Sequence, residues 1–420
     1  MTQPIFDLAR MRRALIAPLQ WCLILIGLSV PISVAFDNVL LALILLGALF
    51  SLPAISRIVL LHPVARAAML LFAVLLAAVF YGDTPVRDAL VILEKYADLA
   101  FIPVFIWLLS DETVRRRARR AFVAAMGITL LASYLIGLKI VPVLSWMHPW
   151  TAPINPAIFH SHITQNNMMA FAVFLALLEW RAAVVFKHKI AWLMFAVLAI
   201  VNMLFMVEGR TGYLILFVLL GWFAWATFAR AMARRGSSWG WRQKAVLVAV
   251  LLMGALAAYQ GSARLHDRVA KAAAEYQAWV PNHGDSSIGQ RLDFYSNTLH
   301  IVSENPFVGA ETGGFPASYE RRIQGTDAIK TRNPHNEYLM ISAQTGLLGL
   351  TLLLYLFYTH WRSAPFLSST LERDGARGLL LAYLLNCMLN SALMDHADGL
   401  FFAFMSAVLF ANLKLGAKHD

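Results

Sequence analysis

The chain has 420 residues, of which 59% are hydrophobic and 14% charged, and its mean hydropathy is +0.63. This composition excludes an ordinary soluble domain and predicts an all-α protein that crosses a membrane many times. The formal net charge of +11 does not indicate nucleic-acid binding, because the basic residues are dispersed over short loops between apolar segments. We therefore expect no nucleic-acid partner, and we assign these residues to topology and to contacts with membrane lipids.

Apolar segments of spanning length predict about twelve transmembrane helices. In chain order they lie at about 14–36, 38–56, 64–82, 87–109, 121–141, 163–186, 190–208, 211–229, 244–261, 336–359, 377–394 and 398–415. Most Lys and Arg residues fall in alternate connections, and the positive-inside rule places these on the cytoplasmic side. Both termini are then predicted to be cytoplasmic and segment 262–334 to lie outside.

Three regions follow from this pattern. Residues 1–261 hold predicted helices 1–9, residues 262–334 form a large outside loop, and residues 335–420 hold helices 10–12. The loop has equal numbers of acidic and basic residues, and it is predicted to be mainly helical, over 264–280 and 287–303, before Asn305-Pro306 interrupts the pattern. A loop of this length is more often functional than idle.

Two groups of polar residues in the first half are weaker candidates for chemistry. Glu94, Lys95 and Asp98 lie within the fourth predicted span, where paired charges more often tie helices together. His160 and His162 could ligate a metal from an extended strand, but no carboxylate or cysteine lies nearby to complete a site. We predict neither a metal site nor a cofactor.

Arg210 is predicted to lie in a very short outside turn between two spans. A cation there is costly without a partner. In a structural role, Arg210 would snorkel to the membrane surface or pair with Glu208. In a functional role, its guanidinium would bind phosphate oxygens, for which its geometry is well suited. Arg291 begins the second predicted helix of the outside loop and has the same two interpretations, a solvated surface arginine or a phosphate ligand.

His335 stands where the outside loop turns into the tenth predicted span. Asn333-Pro334 ends the loop, because proline disfavours helix for the residue before it and suits the first turn of a helix. At a helix N-terminus the dipole favours neutral imidazole, which is the state that a general base needs. The alternative is that His335 only caps the helix or hydrogen-bonds to the loop.

The last outside turn contains Asp395 and Asp398. Either residue could orient a base or bind an amine, and a helix-capping role is the equally good alternative. The sequence contains no glycine-rich phosphate loop with its lysine, so it gives no support for ATP chemistry.

The pattern around His335 resembles the bacterial O-antigen ligase family, which belongs to a superfamily of O-antigen ligases and polymerases. The family motif is His, then Asn, Ser or Gln, nine residues, Gly, two residues, and Gly, Thr or Tyr. It is matched by His335, Asn336, Gly346 and Gly349. The Arg-x-x-x-Leu element is similar to Arg210–Leu214, the loop arginine to Arg291, and the Pro-x-x-Gly turn to Pro306–Gly309.

This resemblance implies a membrane-embedded glycosyltransferase with a GT-C-like architecture in the bacterial inner membrane. It would be inverting and metal-independent, and it would transfer O-antigen polysaccharide from undecaprenyl diphosphate to a sugar hydroxyl of lipid A-core on the periplasmic side. His335 would be the general base, Arg210 and Arg291 would bind the diphosphate, and Asn336 and Asp395 would have supporting roles.

Other interpretations stay open from the sequence. A polymerase of the same superfamily would use the same donor with a second lipid-linked glycan as acceptor, although such proteins usually carry two sizeable periplasmic loops. A related pilin oligosaccharyltransferase would be longer. A transporter of lipid-linked glycans would fit twelve spans, but matching broken helices in the two halves are not evident. The sequence also leaves open whether Arg264, Arg268, Arg321 or Arg322 contributes to phosphate binding.

Overall fold

A computed structural model of the chain describes residues 8–236 and 240–413. The predicted cytoplasmic termini fall partly outside these ranges. The helices, in chain order, are α1 (Leu8–Ser29), α2 (Val34–Ala48), α3 (Leu52–Leu61), α4 (Pro63–Ala77), α5 (Val86–Glu94), α6 (Asp98–Leu108), α7 (Glu112–Gly137), α8 (His162–Ala182), α9 (Phe186–Phe205), α10 (Arg210–Arg234), α11 (Trp241–Gly261), α12 (Ala263–Gln277), α13 (Ser287–Glu304), α14 (Phe315–Arg322), α15 (Glu337–Ser363), α16 (Thr370–Leu389) and α17 (His396–Phe410).

The fold class predicted from composition is confirmed. Within the described ranges, six helical segments are long and apolar enough to cross a membrane: Val34–Leu61, Glu112–Gly137, Phe186–Phe205, Arg210–Arg234, Trp241–Gly261 and Glu337–Phe366. Shorter apolar helices accompany them, so the chain is an all-α polytopic membrane protein. The total of about twelve spans stays a prediction.

The core lies around α8 and α17. Both helices are buried along most of their length, and Phe171 of α8 packs edge-to-face against Phe401 of α17. Around them α10 packs against α8 and α16, α4 against α15, and α6 against α17. A helix that is apolar on all faces is expected at the centre of such a bundle rather than at its rim.

The fourth predicted span is not one helix. The structure divides it into α5 and α6, with the break at the charged residues that the prediction had placed inside a span. Glu94 and Lys95 are exposed, whereas Asp98 is buried and its Oδ2 lies 3.9 Å from Nδ1 of His396 on α17. Asp98 therefore lies against another helix, whereas Glu94 and Lys95 are at the surface.

Loop 262–334 is helical where the sequence predicted helices, at α12 and α13, and a short α14 follows the interruption after Asn305. Helix α13 packs against α12, α14 and α15. The loop therefore lies on the start of α15, the helix that follows His335.

Helix α15 is interrupted at Gly346, whose backbone angles are φ 63° and ψ −157°. The turn Pro306–Gly309 lies against this break, where the amide of Leu347 donates to the Pro306 carbonyl at 2.7 Å. The amide of Ala310 donates to the carbonyl of Ala343 at 2.8 Å. The glycine of the histidine motif thus lets two backbone segments meet.

We expect Gly346→Ala to lower the free energy of unfolding by about 1–3 kcal/mol or more, because its φ/ψ region is essentially restricted to glycine. An added Cβ would also overlap the backbone of Phe307. Thermal unfolding of the purified protein in detergent measures the effect. Gly325→Ala is the control, since Gly325 also has a positive φ but has no atom within 4 Å of an added Cβ. Equal midpoints for the two variants would contradict the close approach.

Candidate active site

Arg210 is the first residue of α10, and the backbone before it is anchored to α8. Nδ2 of the buried Asn166 donates to the carbonyl of Glu208 at 3.1 Å. Gly209 and Gly212 pack directly against the Asn166 side chain, which leaves no space for a Cβ at either position. The Gly-Arg-Thr-Gly sequence therefore fixes where the Arg210 side chain leaves the helix.

The charge partner of Arg210 differs from the one that the sequence suggested. Nη1 of Arg210 lies 3.7 Å from Oε2 of Glu275 on α12, whereas Glu208 forms its ion pair with Arg268. Glu275 also accepts a hydrogen bond from the amide of Ile288 at 3.1 Å. Local sequence proximity pointed to Glu208, but packing of α12 over the start of α10 brings a different carboxylate to Arg210.

Arg291 lies in the second turn of α13 and is half-buried. No carboxylate of the described residues lies within ion-pair distance of it. Burial and the nearby charge of Arg210 lower the pKa of Arg291 from its ordinary value. A half-buried guanidinium without a counter-charge is a favourable place for an anionic ligand.

Arg210 and Arg291 line the same cavity, which has a volume of about 570 Å³ and which we call the arginine cavity. The other charged residues on its wall are Glu208, Arg268, Lys271, Glu275 and Asp285, and His162 also lines it. Four of the lining side chains are therefore basic, and three of these cations, Arg210, Arg268 and Lys271, are already paired with Glu208 or Glu275. The cavity has the size and charge to take a phosphate-containing group.

His335 lies between the loop and α15 with an unusual backbone conformation. Its φ is 55°, which is rare for a residue other than glycine. Its amide donates to Oδ1 of Asn333 at 2.7 Å, and Oγ of Ser391 donates to the same oxygen at 2.6 Å. The hydroxyl of Tyr295 donates to the His335 carbonyl at 3.2 Å. These three contacts hold the left-handed conformation in place.

The imidazole of His335 stacks on Phe294 of α13, with 6.0 Å between ring centroids. Burial lowers the pKa of His335 from its ordinary value, and the positive charge of Arg291 lowers it further. Near neutral pH the imidazole is therefore mainly uncharged and able to accept a proton.

Helix α13 brings the candidates together. Arg291 faces the arginine cavity, and Phe294 and Tyr295, one turn later, contact His335. His335 itself is not on the cavity wall, but it is close enough for Arg291 to act on its pKa. The structure thus places a proton acceptor beside a cavity that contains two guanidinium groups.

The two supporting candidates are helix caps. Asn336, not His335, is the N-cap of α15: its Oδ1 accepts from the amide of Leu339 at 3.0 Å and its Nδ2 donates to the carbonyl of Met388 at 3.0 Å. Asp395 caps α17 by accepting from the amides of Ala397 and Asp398. The contacts of Asp395 therefore belong to α17 and include none to His335.

The remaining sequence candidates are dispersed. Nε2 of His160 bonds to the carbonyl of Val30 at 2.9 Å, while His162 lines the arginine cavity, so the two histidines do not share a site. In the part of the chain that the structure describes, no group of three or more His, Cys, Asp or Glu residues could hold a metal ion. Arg268 lines the arginine cavity, whereas Arg321 lines a separate cavity of about 860 Å³ and Arg322 is exposed. The side chain of Arg264 lies outside the described residues.

Sequence reasoning did not identify Lys271 and Glu275, which reach the arginine cavity from α12. Their i,i+4 spacing predicts that both residues lie on one face of a helix, and they are 3.9 Å apart at Nζ and Oε1. The sequence alone could not show that this face is turned toward Arg210.

Comparisons with known proteins place the three candidate residues within a matched segment. Residues 194–354 match the family model described as O-antigen ligase, and this segment contains Arg210, Arg291 and His335. The O-antigen ligase of Salmonella typhimurium strain LT2 is 26% identical over 278 residues, which is 65% of this chain and 61% of that protein. The matched region thus spans less than two thirds of the relative's length. Over this region the chain is therefore similar to O-antigen ligases.

Proposed function

We propose that this protein is an O-antigen ligase, which transfers polysaccharide from undecaprenyl diphosphate to a sugar hydroxyl of lipid A-core. The reaction would take place at the periplasmic face of the bacterial inner membrane. The observation that carries the proposal is the arginine cavity, in which Arg210 and Arg291 share one wall while His335 lies beside Arg291. The similarity to a protein named O-antigen ligase gives the substrate class.

In this proposal the donor diphosphate binds in the arginine cavity. Arg291 has no carboxylate partner among the described residues, and Arg210 shares Glu275 with Lys271, so both guanidiniums can bind phosphate oxygens. Negative charge grows on the diphosphate as the bond between the sugar C1 and the phosphate oxygen breaks. Fixed cations at that position stabilise the transition state more than the ground state, which is how electrostatic catalysis works.

His335 would remove the proton from the acceptor hydroxyl. The acceptor oxygen then forms a bond to C1 of the donor sugar from the face opposite the diphosphate, with inversion at C1. The electron pair of the broken bond leaves with undecaprenyl diphosphate, and the proton stays on His335 until it passes to water. The contacts from Asn333 and Tyr295 would hold His335 in position during this exchange.

A polymerase of the same superfamily is the second candidate, since it would use the same donor and the same groups. The single large loop, 262–334, favours the ligase, because the other predicted outside segment of any size, 142–162, is short. A lipid-linked glycan transporter is the candidate from a different class. The three functions differ in what becomes of the donor glycan: transfer to lipid A-core, lengthening on its own lipid, or movement across the bilayer.

The experiment is reconstitution of the purified protein with an undecaprenyl-diphosphate glycan and rough lipopolysaccharide, in the presence of EDTA. We expect glycan transfer to the lipopolysaccharide, seen as a shift on a gel, because two guanidinium groups supply the charge that a metal would otherwise supply. Lengthening of the donor glycan without use of the acceptor would indicate a polymerase instead. Movement of the donor across the bilayer with neither product would indicate a transporter, and loss of transfer on adding EDTA would contradict metal independence.

A further inference from the structure

A second cationic cavity lies at the other end of α10. Arg210 begins this helix and Arg230 lies twenty residues later, which at 1.5 Å per residue separates them by about 30 Å, the thickness of a bilayer core. The cavity is formed where α8 and α10 end and α16 begins, and its volume is about 390 Å³. We call it the distal cavity. On the predicted orientation it faces the cytoplasm.

Three arginines line the distal cavity: Arg181 from α8, and Arg230 and Arg234 from α10. One carboxylate, Asp374 of α16, is 4% exposed at its side chain and accepts from both Arg181 and Arg230, one on each oxygen. Arg234 has no carboxylate within ion-pair distance among the described residues, and no acidic residue lines the cavity. The site therefore carries an excess of positive charge.

The hydrogen-bonding groups of this cluster are also incompletely used. Nη1 of Arg230 is buried without a hydrogen-bond partner, and a buried donor left unpaired is costly. Asp374 holds two guanidiniums in fixed positions, so an anion could bind there without the cost of ordering them. The hydroxyl of Thr227, which accepts from Arg181 at 2.9 Å, is on the same wall.

The apolar part of the wall indicates what kind of anion fits. Leu178, Ala182, Ala231 and Leu371 line the cavity beside the arginines. Trp222 and Trp361 lie next to it and stack with Arg377, an arrangement typical of the membrane interface. A basic pocket between helix ends at the membrane surface is suited to a lipid headgroup whose acyl chains remain in the bilayer.

We propose that the distal cavity binds the phosphate group of an anionic membrane lipid, with Arg230 and Arg234 as its ligands. The inference is independent of the proposed glycan transfer. An anionic phosphodiester such as phosphatidylglycerol is preferred to phosphatidylcholine, because the choline ammonium would meet the excess positive charge.

Native mass spectrometry of the purified protein with phosphatidylglycerol, phosphatidylcholine or inorganic phosphate tests this site. We expect phosphatidylglycerol to be retained in preference to phosphatidylcholine, and Arg234→Ala to weaken its binding roughly fivefold, the value of one basic residue at an anionic surface. Arg230→Ala should weaken binding further. Arg116→Ala, which removes an exposed arginine of α7 at the same membrane face, is the control and should leave binding unchanged.

Arg234→Ala removes no ion pair of the described residues, so its thermal unfolding midpoint should match that of the wild type. Equal retention of phosphatidylglycerol by wild type, Arg234→Ala and Arg116→Ala would overturn the proposal. Equal retention of phosphatidylcholine would overturn the preference for an anionic lipid. Displacement of the lipid by inorganic phosphate at equal concentration would show that the cavity takes a free anion rather than a headgroup.

Discussion

His335→Ala is expected to lower the rate of glycan transfer by about 10²–10⁴-fold, the usual contribution of a positioned general base. The imidazole has a lowered pKa, a stacking contact with Phe294 and a backbone fixed by Asn333 and Tyr295. These contacts position the imidazole as a proton acceptor. Alanine removes that acceptor and introduces no new steric clash. Initial rates of transfer to lipopolysaccharide at saturating donor measure the loss.

His300→Ala is the matched control, because His300 is an exposed histidine on α13 in the second turn beyond Phe294. The rate of glycan transfer by His300→Ala should equal that of the wild type. A His335→Ala rate within a few-fold of the wild-type rate, in a protein that binds donor normally, would show that another group takes the proton. Donor binding measured separately distinguishes loss of chemistry from loss of folding.

The local features of this site could be predicted from the sequence. His335 follows Asn333-Pro334 and precedes a long apolar segment, which placed it at a helix start, and its neighbour Asn336 proved to be the cap. Gly346 was part of the motif, and the structure shows the physical reason, a left-handed break where Pro306–Gly309 docks. The helix start depends on residues close in sequence, so local pattern was sufficient to find it, whereas the break at Gly346 depends on a segment about forty positions away and only its glycine was noted.

The partners of the charged residues could not be predicted in the same way. Arg210 lies two residues from Glu208, yet it pairs with Glu275, which is 65 positions away, because α12 folds over the start of α10. The fourth predicted span was wrong as a single helix for a similar reason. Hydropathy averages over Glu94, Lys95 and Asp98, whereas the structure interrupts the helix at these residues and places Asp98 against α17. Long-range contacts of this kind leave no periodic signal in the sequence.

Arg291→Ala is expected to reduce transfer by about 10²–10³-fold, the typical cost of losing one group that stabilises developing negative charge. Arg291 is the half-buried guanidinium of the arginine cavity with no carboxylate partner among the described residues. Its removal should therefore weaken the stabilisation of the diphosphate without breaking an ion pair. Arg291→Lys keeps the charge but loses bidentate geometry, so its rate should lie between those of Arg291→Ala and the wild type.

The pH dependence separates this role from a structural one. In the wild type the charge of Arg291 lowers the pKa of His335, which keeps the base neutral to a lower pH. Without that charge the pKa of His335 rises, so the fall in rate on the acidic side should begin at a higher pH in Arg291→Ala. Arg322→Ala, an exposed arginine on α14, should leave both the rate and the profile unchanged. A lower rate in Arg291→Ala with an unshifted acidic limb would contradict the coupling between this arginine and His335, and would leave diphosphate binding as its sole contribution.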